Sequence, residues 1–220
     1  TSNCCLKLSI NDYAVCNDND IIENNIKDIR KQYDIKETDF IIGSVGRIAK
    51  EKSFDELIKT VKDLKDMDPN IKVMIVGDGP AIDELKELSK SLSLENYIIF
   101  TGKVNYELIP SYYNLFDVMT SFSRSETQGL TVIEGLAAST PVVAVNDKAF
   151  REMVQHKYNG YLFDKNEDFI KYVLKLKNDK KNYRTMSLNA KNSIYRYSKE
   201  VFAADILKIY YKAIEVKKKK

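Results

Sequence analysis

Phe40-Ile41-Ile42-Gly43-Ser44-Val45-Gly46-Arg47-Ile48-Ala49-Lys50-Glu51-Lys52 joins a continuously apolar run to a basic turn led by glycine. Apolar residues without polar alternation mark a strand covered on both faces, which is the environment of a parallel sheet. Phe54, Leu57, Ile58, Val61 and Leu64 follow at helical spacing, so the turn lies between a strand end and a helix start. Gly46 lets backbone approach a ligand closely, Arg47 offers a planar fork for phosphate oxygens, and Lys52 adds a point charge near a positive helix end. The combination is suited to gripping a diphosphate.

The same alternation continues along the chain. Strands are expected at Ile71–Val76, Tyr97–Phe100, Val118–Thr120, Pro141–Val145 and Gly160–Phe163, with helices near Ile82–Leu88, Leu108–Leu115 and Gly129–Ala138. Repeated strand-then-helix units with apolar strands predict an α/β class fold, a doubly wound parallel sheet of Rossmann-like type. From Phe169 onward the pattern is helical, with helices expected over Met186–Tyr197 and Val201–Ile214. Residues 1–25 read as an irregular lead-in or linker, a first short helix is expected from Ile26 to Ile35, the folded domain spans 26–216, and Lys217 to Lys220 form a basic tail.

Composition narrows the class. A 220-residue chain with 44% hydrophobic residues can bury a substantial core. No apolar run approaches the roughly 20 residues of a membrane-spanning helix, and the start lacks a signal-peptide pattern, so a cytoplasmic location is expected. The balance of 35 basic against 32 acidic residues argues against nucleic-acid binding. The lysine tail is compatible with peripheral contact at the inner face of an anionic membrane. Cys4, Cys5 and Cys16 have neither metal-site nor disulfide spacing and read as free thiols. The lone His156 reads as a loop or helix-end residue rather than a general base, and Tyr112, Tyr113, Tyr210 and Tyr211 read as packing residues.

In an open parallel sheet, ligands bind beyond the carboxyl ends of the strands. Two further motifs fall there. Gly77-Asp78-Gly79-Pro80 permits a tight turn and a helix start, with Gly77 a candidate ligand contact. Ser123-Arg124-Ser125-Glu126-Thr127-Gln128-Gly129-Leu130-Thr131-Val132-Ile133-Glu134 carries two carboxylates. A carboxylate repels a diphosphate but accepts hydrogen bonds from neighbouring sugar hydroxyls. Glu126 and Glu134 therefore suit the hexose and the ribose, while the helix start at Gln128, Gly129 and Leu130 suits the phosphates. The glycine fingerprint of a nicotinamide dinucleotide site is absent.

Together these residues resemble the C-terminal, donor-binding domain of the retaining family 4 glycosyltransferases of the GT-B fold. Gly46-Arg47 through Lys52 resembles that family's diphosphate segment, and Glu126 to Glu134 its pair of glutamates. Val76-Gly77-Asp78-Gly79-Pro80, Phe100-Thr101-Gly102-Lys103-Val104 and Asn159-Gly160-Tyr161-Leu162-Phe163 also match. The resemblance implies that Arg47, Lys52 and Glu126 serve catalysis, the first two by stabilising the leaving diphosphate and Glu126 by holding the transferred sugar. It implies donor contacts from Gly46, Gly77, Gln128, Gly129 and Leu130, ribose binding by Glu134, and base contacts from the backbone of Lys103 and Val104. It also implies a nucleotide-sugar donor and no metal cofactor. Where many members carry an aromatic residue, this chain has Gln128. Ser125-Glu126-Thr127-Gln128-Gly129-Leu130-Thr131 is similar to bacterial enzymes that move glucose from UDP-glucose to diacylglycerol, making UDP-glucose or a related UDP-hexose the expected donor and a glycolipid or polysaccharide the expected acceptor. The acceptor-binding domain is expected upstream or on a separate chain, since residues 1–39 are too few to form one. The rival reading is a non-catalytic module that binds a nucleotide sugar or mediates assembly.

Overall fold

The computed structural model describes residues 19–218. A six-stranded, wholly parallel sheet forms the centre, in the order β3-β2-β1-β4-β5-β6. Its strands are β1 (Phe40–Val45), β2 (Ile71–Val76), β3 (Ile98–Gly102), β4 (Val118–Ser121), β5 (Val142–Val145) and β6 (Gly160–Phe163). All six coincide with the expected apolar runs. The helices are α1 (Asn19–Gln32), α2 (Phe54–Met67), α3 (Ile82–Ser91), α4 (Ile109–Leu115), α5 (Leu130–Ala137), α6 (Lys148–Arg151), α7 (Asn166–Asn178), α8 (Lys180–Ser193) and α9 (Lys199–Lys218).

The helices form two layers. α2 contacts α3 and α7 on one side, and α1, α4, α5 and α8 form a connected layer on the other. Ile41, Ile42, Val73, Met74, Ile75, Val142 and Val143 are sealed between them. Each such side chain contributes about 1.5–3 kcal/mol through removal from water. This is the doubly wound arrangement that the sequence predicts.

Several boundaries differ from the sequence reading. The expected lead-in to residue 25 gives way to helix at Asn19, because tertiary contacts compensate for the poor helix propensity of Asn24 and Asn25: Ile29 is buried, and the Asn25 amide donates to Ser111 Oγ of α4 at 3.1 Å. The helix expected at Met186 begins at Lys180, where the Asp179 side chain accepts from the Asn182 amide. α6 was not anticipated, being one turn long. Tyr112 and Tyr113 are buried as expected, but Tyr210 and Tyr211 are exposed, since α9 projects from the domain and touches it chiefly at the turn Ile194–Tyr197. Lys217 and Lys218 belong to α9 rather than to a separate tail. The three cysteines, Lys219 and Lys220 lie outside the described residues.

Gly43, in the middle of β1, faces the ring of buried Phe116, and a Cβ at this position would overlap that ring. Gly43→Ala is expected to destabilise the domain by about 2 kcal/mol, the range of core overpacking. A lowered urea midpoint measures this; an unchanged midpoint contradicts it.

Candidate functional site

Neighbouring strands β1 and β4 are followed by connections that leave toward opposite layers, opening a cleft beyond their carboxyl ends. Each wall is set by short-range structure. After β1, Gly46 adopts φ +152° and its N–H donates to Val76 O. Fully buried Ile48 then pins the loop: its N–H donates to Asp78 O and its carbonyl accepts from Ala81 N–H. Anchoring Ile48 leaves Arg47 exposed toward the cleft. The single turn Lys50–Lys52 leads through Ser53, at φ +53°, into α2. On the other wall, Gly129 caps α5 in the left-handed region at φ +56°. A side chain there would press on Met153 as well as strain the backbone.

The cleft is a cavity of about 320 Å³ lined by Ser44, Val45, Gly46, Arg47, Lys52, Phe54, Ser121, Glu126, Thr127, Gln128, Leu130 and Thr131. Six of the eleven expected site residues therefore border one space: Gly46, Arg47, Lys52, Glu126, Gln128 and Leu130. Gly129 lies behind them as the helix cap. Gly77 is packed on the Gly46 carbonyl and its N–H donates to Gly102 O, so it supports the wall rather than lining the cavity. Lys103 and Val104 follow β3 and do not line the cavity, nor does His156, whose Nδ1 accepts from Leu162 N–H near β6. Glu134 stands one helical turn beyond Thr131, just outside the lining.

The two walls are tied together. Lys52 Nζ donates to Glu126 Oε2 at 2.6 Å, and the Ser123 and Ser125 hydroxyls reach Glu51 O at 3.4 and 3.3 Å. Arg124 and Glu56 stand at 3.8 Å. Charge-assisted contact across 74 residues of sequence sets loop against loop. This tie was not anticipated from sequence, where Lys52 and Glu126 read as separate ligand contacts. A second omission is Tyr113, whose buried hydroxyl donates to Glu134 Oε2 at 2.6 Å.

The two glutamates have opposite electrostatics. Burial acts to raise the Glu126 pKa, but the Lys52 hydrogen bond and charge, with the Thr127 and Gly129 amides, outweigh it and hold the carboxyl below its ordinary 4.5. Burial lifts Glu134 above 4.5, and the Tyr113 hydrogen bond offsets this only in part. Among the described residues, no group of three or more His, Cys, Asp or Glu side chains is placed to hold a metal ion, and no helix is long and apolar enough to cross a membrane. The chemistry on offer is an anion grip from Arg47 and Lys52, beside carboxylate acceptors for hydroxyls.

A mixed-charge cleft at the point where the strand order reverses is where doubly wound domains hold their ligands. The profile of the family described as Glycosyl transferases group 1 matches residues 25–193, and the chain belongs to that family. The alpha-monoglucosyldiacylglycerol synthase of Acholeplasma laidlawii is 34% identical over 195 residues, which cover 89% of this chain and 49% of that protein. The Streptococcus pneumoniae protein of the same name is 29% identical over 197 residues, covering 89% and 44%. The chain thus spans about half the length of these relatives. Among solved structures, Anabaena HepE in complex with UDP-glucose has the same fold at a TM-score of 0.79 and 22% identity, covering 93% of this chain and 56% of that one. The C-terminal domain of the group 1 glycosyl transferase LpcC from Francisella tularensis matches at a TM-score of 0.68 and 26% identity, covering 77% of this chain and 93% of that one.

Glu126 contributes stability above its ordinary 4.5 and loses it as pH falls through its lowered value. Glu134, with a raised value, contributes in the reverse sense: fully present below 4.5 and lost as pH rises through the folded value. A carbon-detected NMR titration of the glutamate carboxyls is expected to find Glu134 titrating above 4.5 and Glu126 below it. Coincident or inverted titrations contradict this electrostatic assignment.

Proposed function

We propose that this chain is the donor-binding half of a retaining glycosyltransferase that takes a hexose from a UDP-sugar, UDP-glucose or a close relative, and delivers it to a lipid acceptor held by a second domain outside this chain. The observation that carries the reading is the cavity of about 320 Å³ between β1 and β4, which Arg47, Lys52 and Glu126 border together. The donor class is supported by the UDP-glucose in the HepE structure, and the acceptor class by the names of the Acholeplasma and Streptococcus relatives. A lipid acceptor places the working protein at a membrane surface.

In the reaction, the bond between the anomeric carbon and the diphosphate oxygen breaks, and the electron pair leaves with UDP. A new bond forms from the same carbon to the acceptor's hydroxyl oxygen on the same face. The hydroxyl proton passes to the departing diphosphate oxygen, whose developing charge Arg47 and Lys52 stabilise. With cations already fixed by the loop, no metal ion is assigned a role. Lys52 turns from Glu126 to the diphosphate, and Glu126, released, accepts hydroxyl hydrogen bonds from the hexose. Gln128 and the start of α5 border the same sugar and phosphate groups. Glu134 accepts from the ribose hydroxyls, while the backbone at Lys103 and Val104 meets the base edge with Gly77 supporting the phosphate loop.

Isothermal titration calorimetry of the purified chain tests this. UDP is expected to bind more tightly than GDP, with affinity unchanged by a metal chelator. Arg47→Ala and Lys52→Ala are each expected to weaken UDP about tenfold or more, since each removes a charge-assisted contact. Equal affinity for UDP and GDP rejects the uridine assignment. Unchanged affinity in both variants rejects the diphosphate grip.

A further inference from the structure

Glu134 is useful as a hydroxyl acceptor only if its carboxylate is held in one orientation. Its place in α5 fixes the Cα, but three side-chain torsions lie between the backbone and the oxygens. The only hydrogen bond to this carboxylate among the described residues is the one from Tyr113, 21 positions earlier in the chain, to Oε2 at 2.6 Å. Oε1 is left over. Ser89 Oγ is the sole buried side-chain polar atom without a partner among the described residues, so Oε1 of Glu134 opens to solvent. Glu134 lies three positions, one helical turn, after Thr131, which lines the cavity.

The residue that carries this hydroxyl is itself firmly placed. Its ring is 1% exposed and stands edge-on to Phe116, with centroids 6.0 Å apart at 78°. Phe116 occupies the space that Gly43 leaves open in β1. The Tyr113 backbone carbonyl accepts from Thr140 Oγ1 at 3.0 Å, which ties this turn of α4 to the segment leading from α5 into β5. Packing alone would not need the hydroxyl, because a phenylalanine ring fills nearly the same volume without a polar group to satisfy.

We propose that Tyr113 is a positioning residue for the donor site: its hydroxyl pins one oxygen of Glu134 so that the other is presented to the ribose hydroxyls of the nucleotide. This rests on the reading of Glu134 as the ribose-binding carboxylate. Tyr113 never touches the donor. It converts a flexible side chain into a fixed acceptor, so the ordering cost is met in folding rather than in binding.

Calorimetry on the purified chain tests the proposal, comparing UDP with an analogue lacking both ribose hydroxyls, for the wild type, Tyr113→Phe and Glu134→Ala. The wild type is expected to prefer UDP about tenfold, the order of a hydrogen bond to a charged group. Tyr113→Phe is expected to lose most of that preference while binding the analogue as the wild type does, which also reports an intact fold and diphosphate grip. A purely structural tyrosine weakens both ligands alike. Full ribose preference in Tyr113→Phe, with the preference absent in Glu134→Ala, overturns the positioning role alone. No preference in the wild type, or a preference that survives Glu134→Ala, overturns the ribose reading and this proposal together. Should Tyr113→Phe fail to fold, proton NMR of the wild-type Tyr113 hydroxyl decides: its resonance is expected to move with UDP and not with the analogue, and identical responses overturn the proposal.

Discussion

The divergence of β1 and β4 is the constraint on which the site depends. Because strand order reverses at β1, the connection after it runs to α2 on one layer and the connection after β4 runs to α5 on the other. No backbone fills the space between them, and both loops end at helix starts. The Lys52–Glu126 pair spans that space. With side-chain exposures of 28% and 16%, the pair is shielded enough to hold one geometry, yet open enough for a competing anion to displace it. Each partner compensates the other's desolvation.

The two glutamates sit in opposite electrostatic environments, which suits the separate roles proposed for them. Glu126 is held below its ordinary range by Lys52 and two backbone amides; Glu134 lies in a less polar recess with a neutral donor. An ionised carboxylate paired with a lysine suits the charged end of the proposed donor, whereas a carboxyl oriented by a tyrosine suits a neutral diol. Gly43 contributes at a distance: its missing side chain admits Phe116, against which Tyr113 packs, and Tyr113 in turn bonds Glu134. Core packing and site geometry are thus one chain of contacts.

Much of this was legible in the sequence. The strands were visible because residues such as Ile41–Ile42 and Val142–Val143 are apolar on both faces, and the cavity residues were visible because Gly46, Arg47, Lys52 and Glu126 sit at strand-to-helix junctions. What was hidden has a common cause. The Lys52–Glu126 tie joins residues 74 apart and the Tyr113–Glu134 bond residues 21 apart, and no periodicity encodes either. The first half of α1 was hidden because its asparagines disfavour helix locally, and one of them, Asn25, is held by α4. Tyr210 and Tyr211 looked like core residues, but helical spacing does not say which surface a helix meets, and α9 meets little of this domain.

The direct measurement is a crystal structure of the chain soaked with UDP-glucose. Electron density for the diphosphate is expected between the Gly46–Lys52 loop and the start of α5, with Lys52 turned from Glu126 to a phosphate oxygen and the ribose on the Oε1 side of Glu134. A bound nucleotide seated elsewhere, or one seated there with the Lys52–Glu126 pair intact and no contact to Arg47, contradicts the donor-site assignment.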